Sequence, residues 1–388
     1  MMKKILALSM ILISMYTHTE TVRADEGVSE LTSEAAVLMD TQSGAILFGK
    51  NEENKMYPAS LTKMATAIYA IENADLNEQV VVSEDVLNID GTRVYLNPGE
   101  QVPLKKLVQG MMINSGNDAA LAIALHIDGS IEEYSQNINK FLETKIGVTS
   151  THFINPHGLF DENHYTTAKD LGLILNYAMK NSDFREIFGT KQLDWDGESW
   201  DTTIMSHHRM LKGEIPYEWV TGGKTGFVDQ SKQTLATTAD NGQMKLTAIL
   251  LKSEYKRKIY EDTIKLFDYG FTSFKSSQII KGEEFKKGKL KFKAADDVFL
   301  TEPIEQGKRM IDTEGVLTIQ DANGEIIQSV ELKPSIEKKP EVTKTTQELK
   351  QSGVLTLNSI IGAALFILAA FVWFLNRKQK KNRRFRSR

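Results

Sequence analysis

At 388 residues, with 41% hydrophobic and 25% charged residues, the chain has the balance of ordinary globular protein, and its length predicts one large domain with a smaller one. It has no cysteine, which excludes disulfides, thiolate chemistry and a Cys-ligated zinc site. The formal charge of −4 hides an asymmetry, because residues 25–353 carry 36 basic against 50 acidic residues, a net −14, which argues against polyanions such as nucleic acid or teichoic acid as a general partner.

The chain opens with Met1-Met2-Lys3-Lys4, an apolar run from Ile5 to Tyr16 and small residues around the end of Val22-Arg23-Ala24, which predicts a secretory signal over 1–24. Two apolar runs, Ala35–Asp40 and Ala45–Phe48, flank the turn residues Thr41-Gln42-Ser43-Gly44 and predict a β-hairpin. After Pro58 the spacing of Met64, Ala67, Ile68 and Ile71 predicts a helix starting at Ala59 or Ser60. A second helix is predicted over Leu104–Ile113, interrupted at Asn114-Ser115-Gly116-Asn117, and a third from Asp118 to His126. Helical periodicity continues over Ile131–Lys145 and Ala168–Lys180, and 190–220 reads as loop-rich.

Strand-like runs Gln233–Ala239 and Met244–Leu251 flank Asp240-Asn241-Gly242, the strongest hairpin signal in the chain. From 25 to 270 these elements make one domain, and short runs such as Lys289–Phe292, Val298–Leu300, Val316–Ile319 and Ile326–Leu332 predict a small all-β domain over 276–333. Residues 334–353 lack the apolar content for a core and read as a stalk. Val354–Leu375 is 22 residues without a charge, about 33 Å as a helix, enough to cross a bilayer. The tail 376–388 carries eight basic residues and no acid, which the positive-inside rule places in the cytoplasm. A single-pass membrane protein with its catalytic domain outside the cell is the expected topology.

Three short motifs carry chemistry. In Ser60-Leu61-Thr62-Lys63 the two functional residues lie three apart on one helix face, so an amine can reach a hydroxyl near a helix N-terminus. The amine activates the serine only when neutral, so Lys63 must be buried or close to another cation. Ser115-Gly116-Asn117, in the helix break, offers a hydroxyl for proton relay and an amide that can hold a substrate carbonyl or Lys63. Lys224-Thr225-Gly226, behind Gly222-Gly223, offers a cation and a hydroxyl for a carboxylate on a strand edge that glycine opens to close approach.

In this order the three motifs resemble those of the serine penicillin-recognising enzymes. The strings Ala59-Ser60-Leu61-Thr62-Lys63-Met64, Asn155-Pro156-His157-Gly158-Leu159 and Gly223-Lys224-Thr225-Gly226 are similar to those of low-molecular-mass D-alanyl-D-alanine carboxypeptidases over about residues 30–255. The resemblance implies an α+β, β-lactamase/transpeptidase-like catalytic domain, with a five-stranded antiparallel sheet beside a helical region, then a small β-rich domain and a C-terminal membrane helix. It implies that Ser60 forms the acyl-enzyme, Lys63 is the general base, Ser115 and Asn117 assist proton transfer and binding, and Lys224, Thr225 and Gly226 hold the substrate. Backbone N–H groups of Ser60 and Phe227 would form the oxyanion hole. Phe227 departs from the His found there in some relatives, and the β-domain is shorter than usual.

The expected substrate is the D-Ala-D-Ala end of a peptidoglycan stem peptide, with β-lactam antibiotics as covalent ligands. No metal or organic cofactor is expected, since no pair of the seven histidines has metal-binding helical spacing. Rival readings are a transpeptidase or endopeptidase, a β-lactamase, and a wall scaffold without turnover. The string Glu84-Asp85-Val86-Leu87-Asn88 matches a lactamase motif but precedes Ser115, the wrong order. None of the three motifs is degraded, against the scaffold.

Overall fold

The computed structural model describes residue 28 and residues 30–335. The segments read as signal, membrane span and basic tail, and all but the first two residues of the stalk, lie outside the described residues. Among the described residues no helix is long and apolar enough to cross a membrane.

The chain begins with strands β1 (Ala35–Asp40) and β2 (Ile46–Lys50), the predicted hairpin. A 3₁₀ turn at Ala59–Leu61 leads into α1 (Thr62–Asn73), so the predicted helix starts as a tighter turn that holds Ser60. A small ladder of β3 (Gln79–Val81) and β4 (Gln101–Pro103) precedes α2 (Leu104–Ile113), whose bounds match the apolar stripe. Then come α3 (Asn117–Asp128), α4 (Ile131–Phe141), which ends in a π turn, α5 (Ala168–Ala178) and α6 (Ser182–Phe188). The region read as loop-rich contains a hairpin of β5 (Gln192–Asp196) and β6 (Asp201–Met205). Only Trp195 and Ile204 of those ten residues are buried, too few to give a period-2 signal.

Strands β7 (Val220–Val228), β8 (Lys232–Asp240) and β9 (Lys245–Ser253) follow, then α7 (Lys258–Ser273), a helix the sequence reading passed over. The sheet order is β2-β1-β9-β8-β7, antiparallel throughout, so the first hairpin closes against β9 and β7 is left at the edge. Both faces are covered, which explains why β1 is apolar at nearly every position rather than alternating. Ala35, Val37 and Met39 join the helical core, whereas Ala36 and Leu38 join the second core under α7. Glu84–Asn88 is a short 3₁₀ turn capped by Ser83, with Glu84 exposed, so no catalytic carboxylate comes from it.

The β-rich region contains β10 (Phe274–Ile279), β11 (Glu284–Lys287), β12 (Leu290–Lys293), β13 (Val298–Pro303), β14 (Lys308–Ile311), β15 (Val316–Gln320), β16 (Ile326–Glu331) and β17 (Lys333–Pro334). They form three small sheets around Ile279, Phe292, Leu300, Leu317 and Ile319. Asp40, at the end of β1, ties this region to the large sheet. Its carboxylate accepts hydrogen bonds from Gln42 N–H (2.7 Å), Ser276 Oγ (3.0 Å) and Thr301 Oγ1 (2.8 Å).

Candidate active site

Ser60 follows Ala59, whose φ of +48° is rare for a residue with a side chain, so the turn carries backbone strain directly before the predicted nucleophile. The Ala59 carbonyl accepts from Thr62 Oγ1 at 2.9 Å, and Thr62 Oγ1 in turn meets His164 Nε2 at 2.8 Å. Because His164 Nδ1 accepts from Ile154 N–H, its proton resides on Nε2 and points at Thr62. Burial pulls His164 down to about 3, so the ring stays neutral in this role. Gly158 packs on the other side, where a Cβ would stand 1.9 Å from the Ala59 oxygen.

One helical turn beyond Ser60, the Lys63 side chain is completely buried. Its Nζ lies 3.0 Å from Ser60 Oγ, 2.7 Å from Asn117 Oδ1 and 2.7 Å from the His157 carbonyl. Burial first, and the charge of Lys224 second, hold its pKa well below the ordinary amine range, with Asp118 opposing them. Both conditions set by the sequence for a neutral Lys63 are therefore present.

Asn117 starts α3 and is held from three sides. Its N–H donates to the Thr92 carbonyl at 2.7 Å, and its Nδ2 donates to the Asp90 carbonyl at 2.6 Å, which turns Oδ1 toward Lys63. The loop that supplies those carbonyls is gripped by Asp118, whose carboxylate accepts from Val94 and Leu96 N–H. Ser115 has φ of +63°, and its Oγ accepts from Lys224 Nζ at 2.9 Å. Lys224 also donates to the Thr225 carbonyl, and burial pulls it down to about 7.

Edge strand β7 lies against the turn that carries Ser60. A Cβ on Gly226 would stand 2.8 Å from the Ser60 nitrogen, so glycine is required for the strand to approach this closely. From β8, Thr234 Oγ1 donates to the Pro58 carbonyl and fixes that turn to the sheet. Thr225 is half-buried beside Lys224, and Phe227 is 53% exposed.

Ser60, Lys63 and Asn117 are thus joined by direct contacts, Ser115 and Lys224 by another, and Thr225, Gly226 and Phe227 follow Lys224 on its strand. Sequence reasoning missed the His157 carbonyl, the Asp90–Leu96 loop, Asp118 and His164. A backbone acceptor leaves no residue-type signal, and the one available hint was the glycine of Asn155-Pro156-His157-Gly158. The His157 ring accepts from Leu159 N–H and is held well below its ordinary pKa by burial, then by Lys63 and His164. Among the described residues no group of His, Asp and Glu is arranged to hold a metal ion.

Among the described residues the basic group that contacts the Ser60 hydroxyl is a buried amine, and a second buried amine stands on edge strand β7. That is the form of a penicillin-recognising serine enzyme. A family model described as D-alanyl-D-alanine carboxypeptidase, peptidase S11, matches residues 19–254. D-alanyl-D-alanine carboxypeptidase DacF of Bacillus subtilis is 30% identical over 342 residues, 82% of this chain and 86% of the relative. DacA of Haemophilus influenzae is 31% identical over 308 residues, 71% of this chain and 73% of that protein. Among solved structures, penicillin binding protein 5 from Haemophilus influenzae superposes with a TM-score of 0.69 at 25% identity, covering 79% of this chain and 97% of that one. Penicillin binding protein 6B from Escherichia coli gives 0.66 at 25% identity, covering 82% and 99%. The chain belongs to the D-alanyl-D-alanine carboxypeptidase family of serine peptidases, and its activity is that of a serine-type carboxypeptidase in peptidoglycan metabolism.

Proposed function

We propose that Ser60 is the nucleophile that attacks the carbonyl of the penultimate D-alanine of a stem pentapeptide, releasing the terminal D-alanine and leaving an acyl-enzyme that water resolves. The observation that carries this reading is the set of three contacts at Lys63 Nζ. Asn117 Oδ1 and the His157 carbonyl are pure acceptors, so they take both hydrogens of a neutral amine. Its lone pair is then left for the Ser60 hydroxyl, which donates its proton to Nζ as it attacks.

Ser115, bridging to Lys224, is the group that carries a proton toward the leaving amine. Lys224 and Thr225 receive the terminal carboxylate, and the N–H groups of Ser60 and Phe227 hold the oxyanion. The close approach of Gly226 to the Ser60 nitrogen supports the last assignment. β-Lactams acylate the same serine because they present the same carbonyl and carboxylate. The signal-like 1–24 and uncharged 354–375 support an extracytoplasmic domain anchored by one C-terminal helix, with 376–388 in the cytoplasm.

The test is D-alanine release from a peptide ending in Lys-D-Ala-D-Ala by the detergent-solubilised full chain, beside Ser60→Ala. Release that vanishes in the variant is expected. Release that survives it would remove Ser60 from the mechanism, and stable penicillin labelling without release would remove hydrolysis.

A further inference from the structure

The average charge of −14 conceals a local reversal. Within residues 281–293 stand six lysines and two glutamates, nearly all on the hairpin of β11 and β12. The register pairs Phe285 with Phe292, and Phe292 is buried in the small core, so the alternate positions face outward. On that outward face Lys286 stands directly opposite Lys291, and Lys293 stands between Glu284 on one side and Lys333 of β17 on the other. Lys287 and Lys289 add two more exposed cations at the tip. Lys281 is satisfied by Asp296 at 3.2 Å, but among the described residues Lys286, Lys287, Lys289 and Lys333 have no ion-pair partner.

Like charges placed directly opposite each other weaken a sheet. Lysine on an edge strand does discourage strand-to-strand aggregation, and this accounts for Lys286 on β11. It does not account for Lys293, because β12 is the middle strand of its sheet. Three adjacent strands carrying cations on one face make a surface suited to a plane of negative charge.

The path of the chain indicates which plane. Ser335, the last described residue, is still pinned to this sheet, its N–H donating to the Lys291 carbonyl at 2.8 Å. Residues 336–353 then lead to the uncharged run 354–375, and a link of that length spans at most about 60 Å fully extended. The cationic face is therefore the part of the described chain tethered nearest to the apolar run. A short tether raises the effective concentration of the two partners and turns weak contacts into a stable arrangement.

We propose that the outward face of β11, β12 and β17 rests on the phosphate headgroups of anionic phospholipids, in the bilayer that residues 354–375 cross. The inference rests on the reading of that run as a membrane anchor. Docking fixes how the catalytic domain stands above the membrane, and it weakens as salt shortens the screening length from about 10 Å at 0.1 M to about 3 Å at 1 M.

The sequence has no cysteine, so Leu290→Cys, at a 46% exposed position near the hairpin tip, gives one site for a fluorescent donor on the full chain. The labelled protein is placed in nanodiscs with acceptor-labelled headgroups, made of phosphatidylcholine alone or with phosphatidylglycerol. Energy transfer at least twofold higher with phosphatidylglycerol is expected, falling to the phosphatidylcholine level in 1 M salt and in Lys286→Glu/Lys333→Glu. Equal transfer in both lipids, or transfer indifferent to salt and charge reversal, would overturn the proposal. So would a hairpin that ignores the lipid but responds to soluble poly(glycerol phosphate). D-alanine release and a melting curve check that the double variant is folded. Resistance to carbonate extraction tests the anchor separately. If the chain is extracted, flotation with phosphatidylglycerol vesicles at low salt decides: flotation lost on charge reversal retains the docking face, and no flotation removes it.

Discussion

Replacing Lys224 by Met should make the protein more stable and nearly inactive. Lys224 is 2% exposed, and burial pulls its pKa from 10.5 to about 7. At pH 7 or below, keeping that ammonium charged in the folded state costs about 1.36 kcal/mol per pKa unit, roughly 5 kcal/mol over this interval. Met removes that cost at similar volume but forfeits the hydrogen bonds to Ser115 Oγ and the Thr225 carbonyl, about 1 kcal/mol each. A net gain of about 3 kcal/mol corresponds to a melting temperature higher by about 5–10 °C. On the proposed role of Lys224 as the cation that receives the substrate carboxylate, its loss should lower kcat/KM by roughly 10²-fold. The pH dependence makes the prediction specific. Between about pH 7 and 10.5 the unfolded chain holds a proton on Lys224 that the folded chain has released, so wild-type stability rises with pH across that window. The variant lacks this rise, so its advantage of about 3 kcal/mol should vanish about two pH units above 7 and turn into a deficit of about 2 kcal/mol as pH approaches 10.5. Calorimetry from pH 7 to 10 reads it directly. A variant that melts below wild type at pH 7, or a gap that stays constant, would refute the electrostatic account.

Asp118 raises the Lys63 pKa, so Asp118→Asn should move the acid limb of kcat/KM to lower pH while reducing its plateau through a loosened Val94–Leu96 loop; a pH–rate profile whose limb moves upward contradicts the assigned field. In Gly158→Ala the new methyl would stand 1.9 Å from the Ala59 oxygen on a backbone with φ of +84°, so stability should fall by about 3 kcal/mol or more, or penicillin acylation should slow at least about 100-fold. Wild-type melting together with wild-type labelling would show that Ala59 does not need this position. His164 and His208 are both held down to about 3 by burial, so below about pH 6.5 the unfolded chain takes up protons that the folded chain refuses, and stability falls with falling pH. These two groups contribute up to about 2.7 kcal/mol per pH unit between pH 6 and 5, to which His157 and His207, also held down by burial, add in the same direction, and urea titrations showing a slope below about 2 would mean that these rings take up protons in the folded state.

The helices with dense apolar stripes and the hairpin at Asp240-Asn241-Gly242 were legible because their periodicity is strong over many residues. The β5–β6 hairpin was not, since its inward positions are few and Trp195 acts mainly by filling the space beside Gly110, a contact that arises only after folding. Of the site, every side chain that hydrogen-bonds to Lys63 or Lys224 lay in one of the three motifs. Illegible were the groups that hold those side chains: the carbonyls of His157 and Asp90 offer no identity to read, and Asp118 looks like an ordinary first-turn acid on α3.

This division reflects how the site solves its electrostatic problem. Two amines are buried in the site, and the charge of Lys224 destabilises the charged form of Lys63. A neutral Lys63 is therefore the arrangement of lower cost, because Lys63 feels both burial and its neighbour whereas burial alone lowers Lys224. The acceptors follow from this. Lys63 faces neutral oxygens from Asn117 and His157, which satisfy an amine without restoring its charge, and the one nearby carboxylate, Asp118, is occupied by loop N–H groups instead. A carboxylate in the place of Asn117 would hold the proton on Lys63 and silence the serine.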